Sequence, residues 1–459
     1  MARDTSDARP IPVTVPAPPG PQGMWRAWRA ARQNLLSIIP EPCFHEPVLS
    51  GGRRIGWLML QDPEGLEQVL KKREAIYPRS DVTLRILRPR EGESLFTAPQ
   101  ATWKWQHKAM APIFQHRHLV GMAPMMAAAA QATADRMDAA GAGTGAVVDV
   151  YPEMVQATAD VICDAALSGR ESLDREALTN GVSAFIENVA RISLLDILGA
   201  PAWVPRPGRL LDRSGKQMDA RMDAIIAARQ ARGPSDPPDL LDLLIGARDA
   251  DSGRAMSAVE LRNNLLAFIV AGHETTALAL TWALYLLAFD PAAQARAAEE
   301  AGNALGERMA LAEDLPQMSY VRQVIDEAMR LYPPAGLLTK TAKGEDEILG
   351  HKVVPGMIIM IPIWALHRHR RLWDNPDAFD PDRFAPEAKA ARHRYAYLPF
   401  SAGPRICLGM QFALMEAHII LASLIARYRF ELPEGFVPDP KMIFTLRPGD
   451  GMPLVVTRR

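Results

Sequence analysis

The chain has 459 residues, 48% of them apolar and 23% charged, with a formal net charge of −1. These are the proportions of a globular protein with a large core, and they exclude a disordered, collagen-like or strongly polyanion-seeking chain. The three cysteines, Cys43, Cys163 and Cys407, lie too far apart in sequence for a disulfide framework, and no C-x-x-C pair marks a zinc site.

The N-terminus is polar and then proline-rich from Pro10 to Pro21, without the basic start and apolar core of a signal peptide. Residues 1–22 are expected to form an extended leader laid on the surface. Strand-like pieces follow at Pro47–Met59 and, much later, at Val353–Ile363. Gly141-Ala142-Gly143-Thr144-Gly145 separates an alanine-rich helical stretch from strand-like Val147–Tyr151. The order is helix then strand, and G-x-G-x-x-G spacing is missing, so this is a turn and not a phosphate loop. Arg232–Pro238 is a breaker-rich loop, and Asp239–Ala250 resumes a helix.

Ser257-Ala258-Val259-Glu260 is a capping box, and helical periodicity runs from there to Phe289, where Asp290-Pro291 stops it. Such a helix is roughly 45 Å long and apolar on both faces, so it should be buried. The longest uninterrupted apolar stretch, Ala277–Phe289, is too short to span a bilayer. The chain is therefore expected to be soluble and cytoplasmic, with no transmembrane anchor. The basic run His367-Arg368-His369-Arg370-Arg371 is expected to be a solvated loop, and the near-zero net charge predicts no nucleic-acid partner. The pattern as a whole predicts one mainly α domain over residues 23–459, with a small β-sheet and a long central helix.

Chemistry concentrates at Phe400-Ser401-Ala402-Gly403-Pro404-Arg405-Ile406-Cys407-Leu408-Gly409. The helical stretch that follows places Cys407 beside unpaired amides and a positive dipole end, both of which favour a thiolate. Gly403 and Gly409 permit tight turns and close approach of a flat ligand, and Arg405 puts a permanent cation near the sulfur. A lone cysteine is ordinarily a small buried hydrophobe. Here the five fixed positions of F-x-x-G-x-R-x-C-x-G are all met, and the pattern resembles the haem-binding signature of the cytochrome P450 family.

Other segments carry the same resemblance in the expected order. Ala271-Gly272-His273-Glu274-Thr275-Thr276 places a carboxylate and hydroxyls midway along an apolar helix, which is costly unless they have partners or work to do. It resembles the family's A-G-x-[DE]-T-[TS] motif, which implies that Thr275 hydrogen-bonds dioxygen, Glu274 relays protons, and Gly272 clears room for oxygen. Glu327 and Arg330 share a helix face and are followed by Leu331-Tyr332-Pro333-Pro334 and Phe379-Asp380-Pro381-Asp382-Arg383-Phe384. This resembles the family's buried structural cluster, here Glu327, Arg330 and Arg383. Trp103 and His107, ahead of Ala111-Pro112-Ile113-Phe114, resemble the pair that holds a haem propionate, and Lys340 falls at another propionate position. Phe400, Arg405 and Gly409 complete the cofactor site around Cys407. Ala271, Ala335, Leu337 and Phe444 are expected to wall an apolar substrate pocket.

The resemblance implies the cytochrome P450 fold, a single triangular domain, with haem b (protoporphyrin IX iron) on Cys407 as axial ligand. Thiolate ligation favours O–O cleavage, so the expected activity is a monooxygenase that hydroxylates or epoxidises a hydrophobic small molecule. The chain ends about fifty residues after Cys407, so electrons are expected from a separate ferredoxin or flavodoxin with an NAD(P)H-dependent reductase. Lys104, Lys108, Arg392 and Arg394 are expected to guide an acidic partner. A peroxide-using or isomerising haem-thiolate enzyme, and a non-catalytic gas carrier, are both disfavoured by the Glu274-Thr275 pair. A cysteine hydrolase lacks a nucleophile elbow.

Overall fold

The computed structural model describes residues 10–52, 56–167, 214–236, 238–249 and 251–459, with a few isolated positions between 168 and 213. Helices dominate. The central helix, Ala258–Phe289, runs for 32 residues, about 48 Å. Its capping box forms as expected: Glu260 N–H donates to Ser257 Oγ, and Ser257 N–H donates to the Glu260 carboxylate. Asp290 ends it and caps the next helix, Pro291–Leu305, through the amides of Ala292 and Ala293.

The helices Val150–Leu167, Ser214–Arg232, Ser319–Leu331 and Met410–Arg427 all pack on the central helix, and Met410–Arg427 also packs on His116–Ala139. Trp282 lies flat on Tyr332, with ring centroids 4.1 Å apart, fastening the central helix to the end of Ser319–Leu331. The whole central helix and Met410–Arg427 are long and apolar enough to cross a membrane, each with mean hydropathy 1.3. The uninterrupted run considered above fails that test while the full helix passes it. Their apolar windows are 72% and 67% buried inside the protein, as core helices are.

The β-structure is divided among separate small sheets rather than gathered in one. The largest has the spatial order Val48–Gly51, Trp57–Leu60, Ile358–Ile361, Leu338–Thr341, with one parallel pairing between Trp57–Leu60 and Ile358–Ile361. Ala146–Asp149, Pro453–Arg458 and Tyr428–Glu431 form a second, and Pro440–Met442 pairs with Leu446–Pro448 as a hairpin.

Three expectations change. The described part of the leader, from Pro10 on, is strapped down as well as laid on the surface: Val13 N–H donates to the Tyr285 hydroxyl (3.3 Å), and Val13 C=O accepts from the Tyr332 hydroxyl (2.6 Å). The helix expected over Asp239–Ala250 is shorter, Leu240–Gly246, opened by an Asp239–Asp242 capping box; residue 250 lies outside the described residues. The basic run at 367–371 is solvated only in part, because His367, Arg368 and His369 are buried while Arg370 and Arg371 are exposed. Aromatic stacking supports that burial, with Arg368 lying 3.6 Å over the Trp364 ring and 5.8 Å from that of Tyr332. Burial draws the Arg368 guanidinium down to about 9.

Candidate active site

The cysteine loop is closed by its own backbone. Cys407 N–H donates to Phe400 C=O (3.0 Å), and Ile406 N–H donates to Gly403 C=O (3.1 Å). Gly403 has φ +74°, and a Cβ there would fall 1.9 Å from the Leu70 carbonyl oxygen, so no other residue fits. Gly409 is different: its φ is −83°, and a Cβ would only touch Phe114 at 4.0 Å. Phe114 in turn meets Phe268 of the central helix edge-on, centroids 5.5 Å apart. Phe114 therefore packs on the helix that carries Glu274 and Thr275, on the side where Gly409 leaves room.

Between those two elements lies an internal space. In the middle of the central helix Phe268, Val270, Ala271, Gly272 and Thr275 stay accessible; Phe268, Ala271, Gly272 and Thr275, at spacings of three and four, share one face. Cys407 is accessible too, yet dense protein surrounds it and burial pushes its thiol pKa up. Both statements hold if the sulfur borders an enclosed space. Against burial, the Gly409 amide and the Arg79 charge pull the thiol down. Burial outweighs the helix end that was expected to stabilise a thiolate; a metal bond deprotonates a thiol outright.

Beside the sulfur stand three cations. Arg405 Nε lies 2.8 Å from Glu74 Oε1, its guanidinium also donates to the Gln100 side chain, and it sits 4.4 Å over the Trp103 ring. Arg79 bridges across backbone to Lys340 and covers Phe96 at 3.5 Å. Burial, reinforced by the neighbouring cations, lowers Lys340 to about 7 and Arg79 to about 10. His107 tilts on Trp103, centroids 5.0 Å apart, and burial together with Arg405 lowers it, so it is neutral. The nearby acids compensate little: Glu74 is paired with Arg405, and burial raises Glu91 to about 7. Cations that depress one another beside an enclosed space and a thiol fit a flat cofactor bearing two carboxylates, and in this respect the residues present fit haem. Arg79 was not foreseen, because nothing in Pro78-Arg79-Ser80 marks it; only its bridge to Lys340 reveals its place.

On the opposite side, Glu274 is buried and fully engaged. Its Oε1 accepts from the Tyr151 hydroxyl (3.1 Å) and pairs with Arg447 Nε (2.6 Å), and its Oε2 accepts from Thr445 Oγ (2.7 Å). Thr275 Oγ donates to Ala271 C=O (2.8 Å) on the accessible face. The two neighbours therefore point in different directions, the acid toward the C-terminal hairpin and the hydroxyl toward the internal space. Tyr151 and Arg447 were missed; the only available signal was that a buried acid requires partners. Gly272 turns its missing side chain toward Ile162, at 3.2 Å. The missing side chain lets helix Val150–Leu167 pack closely at this point.

Ala335, Leu337 and Phe444 are half-buried as a wall requires. Phe444 packs on Ile86 and Leu87 of helix Asp81–Glu91, with Val82 and Phe96 alongside. That helix adds a wall not legible from sequence.

Glu327, Arg330 and Arg383 do converge. Glu327 and Arg330 are fully buried, joined by two contacts of 2.6 and 2.7 Å, and Arg383 Nε lies 3.6 Å from Glu327 Oε1. Arg330 also donates to the carbonyls of His367, Pro376 and Ala378. His367 extends the cluster toward the cysteine loop: its Nδ1 faces Arg330 C=O (3.2 Å), and its Nε2 accepts from Leu398 N–H (2.8 Å). That pattern requires a neutral ring protonated at Nδ1, and burial lowers its pKa to about 3. Of the four residues expected to greet an acidic partner, Lys108 is paired with Asp251 at 2.5 Å, and Arg392 is held 4.0 Å over Trp373. Lys104 and Arg394 are exposed.

Comparison with known proteins gives this site its family. The sequence profile described as Cytochrome P450 matches residues 52–453. The chain is 30% identical to "Putative cytochrome P450 132" of Mycobacterium tuberculosis, covering 89% of each chain. It is 31% identical to "Cyclooctatin synthase" of Streptomyces melanosporofaciens, over 84% of this chain and 83% of that one. "Cytokinin hydroxylase" of Arabidopsis thaliana is also 31% identical, over 88% and 81%. The crystal structure of the cytochrome P450DA heme domain superposes with a TM-score of 0.78 at 26% identity, covering 90% of each chain. The chain belongs to the cytochrome P450 family, the haem-thiolate monooxygenases.

Proposed function

We propose that this chain binds haem b through Cys407 and hydroxylates or epoxidises a hydrophobic small molecule, with electrons from a separate ferredoxin or flavodoxin and its NAD(P)H-dependent reductase. The observation that carries this reading is the accessible Phe268–Ala271–Thr275 face of a largely buried helix, together with a cysteine that is accessible although protein surrounds it densely. When bound, the haem supplies the activation of dioxygen, of which one atom enters the substrate and the other leaves as water with two electrons and two protons. The monooxygenase domain is taken as residues 23–459, with the leader fastened to it through Val13.

The chain's own residues divide the remaining work. Arg79, Arg405 and Lys340 supply positive charge to the propionates, with Trp103 and neutral His107 as hydrogen-bond donors; Phe400 and Gly409 flank the sulfur. Thr275 offers a hydroxyl on the accessible face. Glu274 lies one residue away, and its partner Arg447 is 22% exposed, so the acid has an ionic contact that reaches solvent. Ala271, Ala335, Leu337 and Phe444, the last backed by Ile86 and Leu87, present apolar surface, which favours a hydrophobic substrate over a charged one. Glu327, Arg330 and Arg383 hold the loop beneath.

The test is spectroscopic. Reduced protein with carbon monoxide should show the red-shifted Soret band of thiolate ligation, and a Cys407→Ala protein that keeps this band would refute the assignment. Titration with fatty acids, terpenes, steroids and aromatics should shift the haem spectrum for one class. Turnover should require added ferredoxin or flavodoxin, and slow when the charges of Lys104 and Arg394 are reversed. Full turnover with peroxide alone favours the peroxide-using reading.

A further inference from the structure

We propose that the helix Met24–Gln33 is a membrane-surface helix that docks the folded protein peripherally on anionic lipid. Its sequence, Met24-Trp25-Arg26-Ala27-Trp28-Arg29-Ala30-Ala31-Arg32-Gln33, combines two tryptophans with three arginines. Between Pro10 and Pro40 these arginines are the only charged side chains. The first acid beyond them, Glu41, is 3.5 Å from His45. The overall charge of −1 therefore conceals a local patch of three positive charges with no acid in its own segment.

The apolar component of the patch is exposed. Trp25 is 65% accessible and Met24 48%, and Trp25 is the only aromatic among the large apolar side chains exposed in the described residues. Trp28 meets Trp25 edge-on at 6.1 Å and carries Arg32 at 5.1 Å. Arg26, Arg29 and Arg32 are all exposed; Arg29 and Arg32, four and seven residues on, share the side of Trp25, Arg26 flanks it, and Ala31 faces the core. Tryptophan beside arginine on one helix suits the boundary between lipid headgroups and acyl chains, where the indole is half-solvated and the guanidinium meets phosphate.

The helix is rigidly mounted. Asn34 donates to Pro440 C=O (2.8 Å) and accepts from Met442 N–H (3.1 Å), and the buried Leu35 and Leu36 anchor the segment. Leu36 and Met442 both abut Gly336, so the proposed lipid-facing surface is seated on the segments that wall the pocket. If the pocket takes a hydrophobic substrate, which rests on the function proposed above, this placement brings its wall to the phase where such a substrate dissolves.

The experiment uses the full-length haem-loaded protein and measures sedimentation with vesicles, so it is independent of turnover. Binding is expected to phosphatidylcholine vesicles containing about a third phosphatidylserine, to weaken with added salt, and to be negligible on phosphatidylcholine alone. Arg26→Gln, Arg29→Gln and Arg32→Gln should each weaken it about fivefold, and the triple variant on the order of a hundredfold. Trp25→Ala should weaken it with little change in salt dependence. An unaltered haem spectrum certifies the fold of each variant. Equal binding by the triple variant, or no binding by the parent protein at low salt, overturns the proposal. So does a change in sedimentation velocity on Trp25→Ala without vesicle binding, which would assign the face to a second copy of the chain.

Discussion

Arg447 Nε lies 2.6 Å from Glu274 Oε1, pairing the acid of the central helix with the C-terminal hairpin. The carboxylate also receives hydroxyls from Tyr151 and Thr445, so it is held in place against the hairpin. Removing its counter-charge leaves an ion in a buried site. Arg447→Leu should therefore lower unfolding free energy by about 3 kcal/mol, the low end for a broken buried pair because Arg447 is partly solvated. Denaturant unfolding measures this, and Arg447→Lys should recover most of the loss. In turnover, Arg447→Leu should divert reduced nicotinamide to peroxide, because proton entry past Glu274 is disturbed.

The Glu327–Arg330 pair has no solvent to fall back on. Glu327→Gln should cost about 3–5 kcal/mol. Arg330→Lys should do nearly as badly, since one ammonium cannot replace a planar fork that serves a carboxylate and three carbonyls. Yield and haem content of the purified variants read this directly. Normal haem incorporation by Arg330→Lys would contradict it.

His367 supplies a pH dependence with a definite sign. Its folded pKa, about 3, lies below the unfolded value of about 6.5. Between these limits the unfolded chain binds the extra proton, so stability falls as pH falls, by roughly 1.4 kcal/mol per pH unit. His418, lowered to about 4, acts the same way. Glu91, raised to about 7, and Glu416, raised by burial, act oppositely in this window. The difference between parent and His367→Asn isolates the one group. The variant's unfolding free energy should lose about 1.4 kcal/mol per pH unit less between pH 6 and 4.5.

Lys340 should show opposite effects in the two states of the protein. Without haem it is a buried cation beside Arg79 and Arg405, so Lys340→Met should leave the cofactor-free protein as stable as the parent or more so. With haem the same change removes a counter-charge, and transfer of haem to a scavenging apoprotein should be faster. A variant weakened in both states would show that Lys340 serves packing instead.

The two glycines of the cysteine motif should separate. Gly403→Ala places a Cβ against the Leu70 carbonyl at positive φ and should cost at least 1–3 kcal/mol from backbone strain alone. Gly409→Ala meets no clash, its nearest neighbour lying at 4.0 Å, and should fold normally. Unfolding curves of the two variants decide it.

Much of this site is written in short windows. The cysteine loop, the Glu274-Thr275 pair and the Glu327-x-x-Arg330 turn are local patterns whose geometry follows from loop closure and helical spacing, so their positions could be read without coordinates. The capping box at Ser257 and the stop at Asp290-Pro291 likewise bound the central helix by local chemistry. The run His367–Arg371 misled, because charge density in a window says nothing about the Trp364 and Tyr332 rings that cover Arg368. Arg79 and Arg447 were invisible for the related reason that neither lies in a motif.

What the amino-acid sequence determined by itself was the chemistry: a thiolate ligand, an acid beside a hydroxyl, and the helix that carries them. Tertiary structure alone decided the partners. It placed Arg79 and Lys340 with Arg405, turned Glu274 toward Arg447 and away from the face that Thr275 shares, and tied the end of the Trp25 helix to Pro440 and Met442 through Asn34. Those outcomes depend on desolvation and on contacts between distant segments, and neither quantity is defined until the chain has closed around its core.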